Sequence, residues 1–364
     1  MENMVSTTHF WQGKKVLVTG HTGFKGSWLS LWLQQLGAQV LGLSFEPVTQ
    51  PNLFETARVE AGMTSIIGDI CDLELVKQTF QQFQPDIVIH MAAQALVRVS
   101  YQDPVETYQT NVMGTVNILE GIRTCGSVQA AIMVTTDKCY DNKEWSQAYH
   151  ENDALGGHEP YSSSKACAEL LIDSYRRSFF DEPDATAIAS VRAGNVIGGG
   201  DWAQDRLIPD IVRAKAARQP LTIRYPQAIR PWQHVLDPLH GYLLLAEKLF
   251  DQGQSYAQAW NFGPLPEGSK SVQWIADYFV NKWDYFEWQL EADVQPHEAV
   301  TLKLDCTKAH ERLTWRPLWT ISETLSSIDQ WYEAFEQDSD MKLVCLEQIE
   351  KFSHDESLAL TTAI

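Results

Sequence analysis

The first two hundred residues alternate between short apolar runs and longer amphipathic segments, and this alternation strongly constrains the fold. Near-continuous apolar runs are typical of parallel strands covered on both faces. We predict strands at Lys14–Gly20, Gln39–Phe45, Thr64–Asp69, Asp86–Met91, Ala130–Thr136 and Ala187–Arg192. We predict helices at Phe24–Leu36, Leu73–Phe83, Pro104–Thr124 and Pro160–Phe179. This order indicates an α/β fold with a doubly wound parallel sheet.

The pattern becomes irregular after about residue 197, where glycine, proline and aromatic residues are frequent. The remaining predicted elements are helices at Val235–Phe250, Lys270–Asn281 and Ser322–Phe335 and a short strand at Trp260–Gly263. We therefore expect a smaller, irregular α/β domain in the C-terminal part.

Composition limits the partners and the compartment. The net charge is −19, whereas nucleic acid and anionic membranes require a basic face, so neither is expected as a partner. No apolar stretch reaches about 18 residues, and Met1–Gln12 lacks the apolar segment of a signal peptide. The cysteines have no C-x-x-C or metal-ligand spacing, which predicts free thiols, no metal site and a cytoplasmic location. They are Cys71, Cys125, Cys139, Cys167, Cys306 and Cys345.

A glycine-rich loop, Gly20–Gly26 (GHTGFKG), joins the first predicted strand to the first helix. Its glycines permit a tight turn and close backbone approach to a pyrophosphate, which the helix N-terminus then favours. A purely structural turn is the alternative. The residues expected to contact a dinucleotide are Gly20, Gly23, Phe24, Lys25 and Gly26.

The neighbouring charges favour NAD over NADP. No Arg or Lys occurs between Lys25 and Arg58, so no cation near the second strand is available to pair with a 2′-phosphate. An acidic residue that binds the adenosine ribose is expected at the end of the second strand, but Leu43–Phe45 contains none. Glu46 lies one or two positions after the expected place.

Tyr161 and Lys165 are one helical turn apart in the helix that begins at Pro160, so their side chains share a face at about 6 Å. A tyrosine with a pKa of about 10 is a poor base at neutral pH. A nearby ammonium and a cationic nicotinamide lower that pKa. Tyr161 can then deprotonate a substrate hydroxyl during hydride transfer, although a Y-x-x-x-K pattern alone is common by chance.

The fifth predicted strand leads into Thr135–Tyr140 (TTDKCY), at the carboxyl edge of the sheet where ligands bind. Asp137 and Lys138 are side chains of the types that act as general acid and general base. An exposed ion pair at a strand end is the alternative for these two residues. Thr136 lies beside them, and on position alone it is an ordinary strand-end threonine.

Together these motifs resemble the sugar-nucleotide 4,6-dehydratases of the extended short-chain dehydrogenase/reductase family, over about residues 10–340. Lys138 replaces the Glu of the dTDP-glucose and GDP-mannose enzymes, and T-T-D-K-x-Y is similar to the CDP-glucose branch. Other matching blocks are Arg192–Trp202 (RAGNVIGGGDW), Asp205–Asp210 (DRLIPD) and Arg230–Val235 (RPWQHV). The resemblance implies a Rossmann sheet, NAD as cofactor and CDP-glucose as substrate.

The resemblance also implies further site residues. Asp69 is expected beside adenine, and Asn111 is assigned either a direct or a packing role. The other implied cofactor contacts are Ile70, Ala92, Ala93 and Gln94. The implied substrate contacts are Arg98, Asn195, Arg206, Leu207 and Arg230, of which any arginine could instead belong to a surface ion pair.

We also assign domain limits from these sequence patterns and the resemblance. Residues 12–196 with about 232–263 are assigned to the NAD-binding domain, and about 197–231 with 264–345 to the sugar-nucleotide domain. Residues 346–364 are assigned to a tail, for which disorder is the expectation because no clear pattern is present after Glu350.

The implied reaction oxidises C4, eliminates water across C5 and C6, and returns the hydride to C6. Tyr161, with Thr136 and Lys165, accepts the 4-hydroxyl proton, Asp137 protonates the departing oxygen, and Lys138 is either the C5 base or a cation that stabilises the enolate. The resemblance further implies a homodimer and a product used in dideoxysugars of lipopolysaccharide O-antigen. The alternatives are another nucleotide sugar as substrate, a 4-epimerase, or a non-catalytic NAD(H)-binding sensor.

Overall fold

The computed structural model of the protein describes residues 9–145, 147–284, 286–291 and 302–362. Residues 1–8 lie outside the described residues. They make up most of Met1–Gln12, for which the sequence predicts no signal peptide. A seven-stranded parallel sheet forms the centre of the molecule, in the order β10-β6-β5-β4-β1-β2-β3. Its strands are β1 (Lys15–Thr19), β2 (Gln39–Ser44), β3 (Thr64–Ile67), β4 (Ile87–His90), β5 (Ala130–Val134), β6 (Ala187–Ala193) and β10 (Ala259–Phe262). The prediction of a doubly wound parallel α/β fold is confirmed.

Helices cover both faces of this sheet. Those that precede β6 are α1 (Phe24–Gln35), α2 (Leu53–Thr56), α3 (Leu73–Phe83), α4 (Val97–Gln102), α5 (Pro104–Tyr108), α6 (Gly114–Cys125) and α7 (Pro160–Phe179). Alternate residues of one strand enter different cores, since Val16 and Val18 pack with α1 whereas Leu17 packs with α3 and α6. Burial on both faces explains why these strands are near-continuous apolar runs.

The helix predicted at Pro104–Thr124 is divided. A π-helical turn at Gln109–Met113 separates α5 from α6. Such turns widen the helix locally and are frequent at functional sites. Here the turn contains Asn111, whose side-chain amide donates hydrogen bonds to the Gln94 carbonyl and to Ser164 Oγ, at 2.9 Å each.

The C-terminal part is smaller and irregular, as predicted. It contains a three-stranded sheet in the order β11-β9-β7 and a parallel pair of β12 and β8. These strands are β7 (Asn195–Ile197), β8 (Leu221–Ile223), β9 (Ile229–His234), β11 (Ser269–Ser271) and β12 (Trp288–Leu290). The helices are α8 (Leu207–Ala217), α9 (Leu236–Gln252), α10 (Val272–Lys282), α11 (Thr307–Leu313), α12 (Ile321–Glu336) and α13 (Met341–Thr362).

The tail differs from the expectation of disorder, because it forms α13 as far as Thr362. Cys345, Ile349 and Phe352 are buried along this helix, and the Phe352 ring packs edge-on against Trp32 of α1 and Trp319. Burial of this stripe favours the helix, although further apolar residues on its exposed side hide the periodicity in the sequence.

In the described ranges, none of the helices is both long and apolar enough to cross a membrane. All six cysteines lie in these ranges, and each is a free thiol.

Candidate active site

A cavity of about 790 Å³ opens at the carboxyl edge of the seven-stranded sheet, between that sheet and the C-terminal part. It collects side chains from the loops after β1, β4 and β5, from α7 and from the start of α8. The predicted site residues that line it are Gly20, Gly23, Phe24, Lys25, Gly26, Ile70, Ala92, Ala93, Gln94, Arg98, Thr136, Asp137, Lys138, Tyr161, Lys165, Asn195, Arg206, Leu207 and Arg230. The predicted residues Asp69 and Asn111 are not among the residues that line the cavity.

Two positions of the glycine loop, Gly20 and Gly26, have no room for a side chain. Gly20 has φ +77°, and a Cβ there would lie 2.7 Å from the Ala92 nitrogen. A Cβ on Gly26 would lie 2.0 Å from the Gly20 carbonyl oxygen. Gly23 is the N-cap of α1 and supplies no capping side chain, so N–H groups of the first turn remain available to a ligand. This cradle fits the pyrophosphate of a dinucleotide.

Asp69 and Asn111 stabilise the loops around the cavity. Asp69 Oδ1 accepts a hydrogen bond from the Cys71 N–H at 2.8 Å, which fixes the turn after β3. Asn111 Oδ1 accepts a hydrogen bond from the Gln94 N–H at 2.9 Å. For Asn111 these contacts favour the packing role over the direct one.

The edge of the cavity near β2 is acidic rather than basic. Glu46 lines it together with Ser44 and Phe45. Thr22 fastens this segment to the glycine loop, because its hydroxyl donates a hydrogen bond to the Phe45 carbonyl at 2.8 Å. A carboxylate in this position suits a ribose hydroxyl and repels a 2′-phosphate.

Tyr161 and Lys165 both lie on the buried face of α7. Lys165 Nζ donates a hydrogen bond to the Val134 carbonyl at 3.1 Å, and burial lowers the pKa of Lys165 to about 8. Burial raises the pKa of Tyr161 to about 12, while a hydrogen bond with Thr136 and the charge of Arg206 oppose that rise. The sequence predicted that the Lys165 ammonium lowers the pKa of Tyr161. In the structure burial raises this pKa instead, and Thr136 and Arg206, not Lys165, are the groups that oppose the rise.

The N-terminus of α7 is held by Glu159, a residue that is not among the predicted site residues. Its carboxylate is buried and accepts hydrogen bonds from the backbone N–H of Tyr161 at 2.7 Å and of Ser162 at 3.0 Å. Its position immediately before Pro160 was the signal, because a side-chain acceptor before a first-turn proline is a helix N-cap pattern.

Asp137 is enclosed at the end of β5. Its side chain is only 4% exposed, and Oδ1 accepts a hydrogen bond from Thr136 Oγ1 at 3.1 Å. Burial raises the pKa of Asp137 to about 6, against the opposing charges of Lys138 and Arg230. Lys138 is half-buried and lines the same cavity. A carboxyl whose pKa is raised toward neutrality is more readily protonated and can serve as a general acid.

Arginines gather at the cavity wall, from the C-terminal part and from α4. Arg206 Nη1 donates a hydrogen bond to Asp201 Oδ2 at 3.2 Å, and Arg98 Nη1 donates one to Asp205 Oδ1 at 3.0 Å. Arg224, which was not predicted, also lines the cavity and donates to the same Asp205 oxygen at 3.1 Å. These guanidinium groups provide fork-shaped donors suited to phosphate.

Comparison with known proteins identifies the family. The family model described as GDP-mannose 4,6 dehydratase matches residues 17–328. A CDP-glucose 4,6-dehydratase from Salmonella typhimurium is 52% identical over 342 residues, which cover 93% of this chain and 95% of that protein. The chain belongs to the sugar-nucleotide 4,6-dehydratase family. The family predicted from the sequence motifs is therefore confirmed.

Solved structures agree on the fold. A dTDP-glucose 4,6-dehydratase from Bacillus anthracis, in complex with NAD, aligns with a TM-score of 0.74 at 20% identity and covers 91% of this chain and 100% of that one. A UDP-glucose 4-epimerase from Thermotoga maritima aligns with a TM-score of 0.75 at 22% identity and covers 88% and 99%. Because dehydratase and epimerase align equally well, the fold alone does not separate these two activities, and the side chains of the site must.

Proposed function

We propose that this protein is an NAD-dependent 4,6-dehydratase that converts CDP-glucose to CDP-4-keto-6-deoxyglucose and water. The observation that carries the proposal is that one cavity combines the glycine cradle, the Tyr161 and Lys165 pair, and the strand-end residues Asp137 and Lys138. The similarity to the CDP-glucose 4,6-dehydratase of Salmonella typhimurium supports the choice of nucleotide sugar.

NAD is the proposed cofactor. Gly20 and Gly26 leave room for a pyrophosphate at the N-terminus of α1, while Glu46 is placed to accept hydrogen bonds from a ribose. Ile70, Ala92 and Ala93 complete the wall on that side. When bound, NAD accepts a hydride from C4 of the sugar and returns it to C6, so no net oxidation occurs.

The side chains divide the proton transfers between two carbons. Tyr161 accepts the proton of the 4-hydroxyl, with its phenolate stabilised by Thr136 and Lys165. The ketone at C4 then makes the C5 hydrogen more acidic. Asp137, whose pKa is raised to about 6, donates a proton to the departing C6 oxygen. Lys138 either accepts the C5 proton and returns it to C5 after the hydride reaches C6, or stabilises the enolate as a cation while another group takes and returns that proton. Arg206, Arg230 and Asn195 hold the diphosphate, with Leu207 beside them and Arg98 nearer the sugar.

A 4-epimerase is the second candidate, since its fold is equally similar. An epimerase needs no acid to expel a hydroxyl, and the buried carboxyl of Asp137 therefore favours the dehydratase. A non-catalytic NAD(H) sensor has no use for Tyr161, Lys165 and Asp137 in one cavity.

The test is incubation of the protein with CDP-glucose, dTDP-glucose, UDP-glucose and GDP-mannose, each with NAD. A 4-keto-6-deoxy product absorbs in the near ultraviolet in alkali, and we expect this signal with CDP-glucose and its loss in a Tyr161→Phe variant. A signal confined to another nucleotide sugar would contradict the nucleotide assignment, and a new epimer without the signal would contradict the dehydratase.

We propose that the protein forms a homodimer through the helices predicted at Pro104–Thr124 and Pro160–Phe179. Val105 is 73% exposed and Leu170 is 60% exposed, and Met113 adds a third large apolar side chain on the same helices. A second copy would cover these side chains. Light scattering should report twice the chain mass, and a Val105→Glu plus Leu170→Glu variant should be monomeric.

The free thiols suit a reducing compartment and support the proposed cytoplasmic location.

A further inference from the structure

Asp137 and Lys138 lie in the 3₁₀ turn Asp137–Cys139, which we call the acid–base turn. So short a turn has few hydrogen bonds of its own, and its orientation depends on the residues on either side. These residues are Thr135 before the turn and Tyr140 after it. Both are buried, and the side chain of each ends in a hydroxyl group. The contacts of these two hydroxyls therefore decide where the acid–base turn points.

One ion pair, formed by Glu169 and Arg192, contacts both hydroxyls. Thr135 Oγ1 donates a hydrogen bond to Glu169 Oε1. Arg192 Nη1 donates a hydrogen bond to the hydroxyl of Tyr140 at 2.8 Å, across 52 positions of the chain. Two further hydrogen bonds join the charged groups, from Arg192 Nε at 2.9 Å and from Nη2 at 2.8 Å to the two carboxylate oxygens. The same pair of side chains thus holds both ends of the acid–base turn.

The ion pair is enclosed and stays charged. The Glu169 side chain is 2% exposed and that of Arg192 is 3% exposed. Burial opposes ionisation of Glu169, but the charge and hydrogen bonds of Arg192 outweigh it and hold the pKa of Glu169 below its usual range. Ser190 Oγ donates a further hydrogen bond to Glu169 Oε2 at 2.8 Å. A guanidinium and a carboxylate joined by two parallel hydrogen bonds form a rigid support.

The ion pair also connects the acid–base turn to the helix of the proposed oxidation step. Tyr161, Lys165 and Glu169 follow one another at intervals of four residues, so they lie on one face of α7. Glu169, Arg192 and Tyr140 are not among the residues that line the cavity. They can therefore affect the reaction only through the residues that they hold in place.

We propose that the Glu169–Arg192 ion pair orients the acid–base turn so that its first two side chains meet C5 and C6 of the bound sugar. Both members of the pair are positioning residues for the elimination step, because they act through the two hydroxyls that they bind. The inference rests on the proposed function, since it assigns the elimination to the side chains of this turn.

The test releases one end of the acid–base turn at a time and leaves the ion pair intact. Thr135→Val removes the hydroxyl that binds Glu169, and Tyr140→Phe removes the hydroxyl that binds Arg192. Neither change leaves a buried charge without its partner, whereas Glu169→Gln does so and risks unfolding the chain. Each of the two variants should lower kcat for the 4-keto-6-deoxy product by about tenfold to a hundredfold, since a displacement of about 1 Å at reacting groups costs up to that factor.

Single turnovers with NAD and CDP-glucose separate the two steps. Reduction of bound NAD, followed by near-ultraviolet absorbance, should proceed at the unaltered rate in both variants, because Tyr161 and Lys165 are retained. The reduced cofactor should then persist longer, because the elimination is slower. The Michaelis constant for CDP-glucose and the affinity for NAD should not change. A merely structural role would lower the free energy of unfolding without separating the two rates.

Arg192→Lys tests the ion pair itself. It keeps a positive charge beside Glu169, but an ammonium does not match the fork that binds the carboxylate and the Tyr140 hydroxyl together. This variant should reduce bound NAD normally and slow the elimination, as Tyr140→Phe does.

Thr186→Val and Tyr175→Phe are the matched controls. The Thr186 hydroxyl donates a hydrogen bond to the Val128 carbonyl at 2.7 Å, and the Tyr175 hydroxyl donates one to Glu120 Oε1 at 3.0 Å. Neither residue is among those that line the cavity. Each control removes one hydroxyl of the same type and should keep both rates of the unaltered protein.

The outcomes distinguish this inference from the proposed function. If the unaltered protein forms no 4-keto-6-deoxy product from any of the four nucleotide sugars, the proposed function fails and the inference fails with it. If the product forms, the inference alone is overturned when Thr135→Val and Tyr140→Phe match their controls, slow NAD reduction as much as elimination, or lose only stability.

Discussion

Thr136 Oγ1 donates a hydrogen bond to Asp137 Oδ1 at 3.1 Å, and the same hydroxyl lowers the pKa of Tyr161 by hydrogen bonding to its phenol oxygen. A threonine hydroxyl has one proton to donate, so donation to an ionised Tyr161 withdraws the hydrogen bond from Asp137. The proposed base for C4 and the proposed acid for C6 are therefore connected through one side chain. Protonation of Asp137 and of Tyr161 should be coupled.

The first prediction concerns Asp137 and the stability of the fold. Its pKa rises from 3.8 to about 6 on folding, so the folded state disfavours the ionised carboxylate. As pH rises from about 4 to 6, the free energy of unfolding of the unaltered protein should therefore fall relative to that of Asp137→Asn, by up to about 3 kcal/mol. Above that range the difference between the two proteins should stay constant. Urea unfolding between pH 4 and 8 measures this, and a pH-independent difference would contradict the raised pKa.

The second prediction separates the oxidation from the elimination. Lys138→Met should abolish the 4-keto-6-deoxy product while bound NAD is still reduced by CDP-glucose, because Tyr161 and Lys165 remain. The near-ultraviolet absorbance of reduced nicotinamide reports the first step and alkaline absorbance reports the product. Lys143→Met, five residues later with a side chain 58% exposed, is the control and should retain both signals. Loss of both signals in Lys138→Met would refute the division of roles.

The third prediction concerns the diphosphate. Arg230 lines the cavity, and removal of one charged hydrogen-bond donor costs about 1.5–3 kcal/mol. Arg230→Ala should therefore raise the Michaelis constant for CDP-glucose about tenfold to a hundredfold. Arg177→Ala, on the exposed side of α7, serves as the control. An unchanged Michaelis constant in Arg230→Ala would remove this residue from the site.

The fourth prediction concerns the glycine cradle. Gly26→Ala would place a Cβ 2.0 Å from the Gly20 carbonyl oxygen, so the loop must shift and NAD affinity should fall at least tenfold. Gly126→Ala meets no atom within 4 Å, although its φ of +75° is unfavourable for alanine. It should cost about 1 kcal/mol of stability and leave NAD affinity unchanged. Calorimetric titration with NAD compares the two variants.

The fifth prediction concerns α13. Phe352 is fully buried against Trp32 and Trp319, so Phe352→Ala should destabilise the fold by about 3–5 kcal/mol. Leu358 lies on the same helix but is 54% exposed, and Leu358→Ala should change stability by less than about 0.5 kcal/mol. Equal and small effects in chemical unfolding would mean that α13 does not dock as described.

Several elements escaped prediction for identifiable reasons. The strands β7, β8, β11 and β12 have three residues each, too few to show an alternating pattern. The helix α8 follows an irregular segment, and its N-cap residue Arg206 makes no capping hydrogen bond, so no start signal for a helix is present in the sequence. In α13 apolar residues on the exposed side, such as Leu343 and Leu358, mask the buried stripe.

Local sequence patterns were enough to predict the parallel sheet, the glycine loop and the chemistry of the Tyr161, Lys165, Asp137 and Lys138 motifs, because each depends on residues close together in the chain. The surroundings of those groups became apparent only in the folded protein. The contact between Arg192 and Tyr140 spans 52 positions, and the raised pKa of Asp137 comes from burial by segments distant in sequence. Desolvation and charge proximity are properties of packing, and a linear pattern does not specify them.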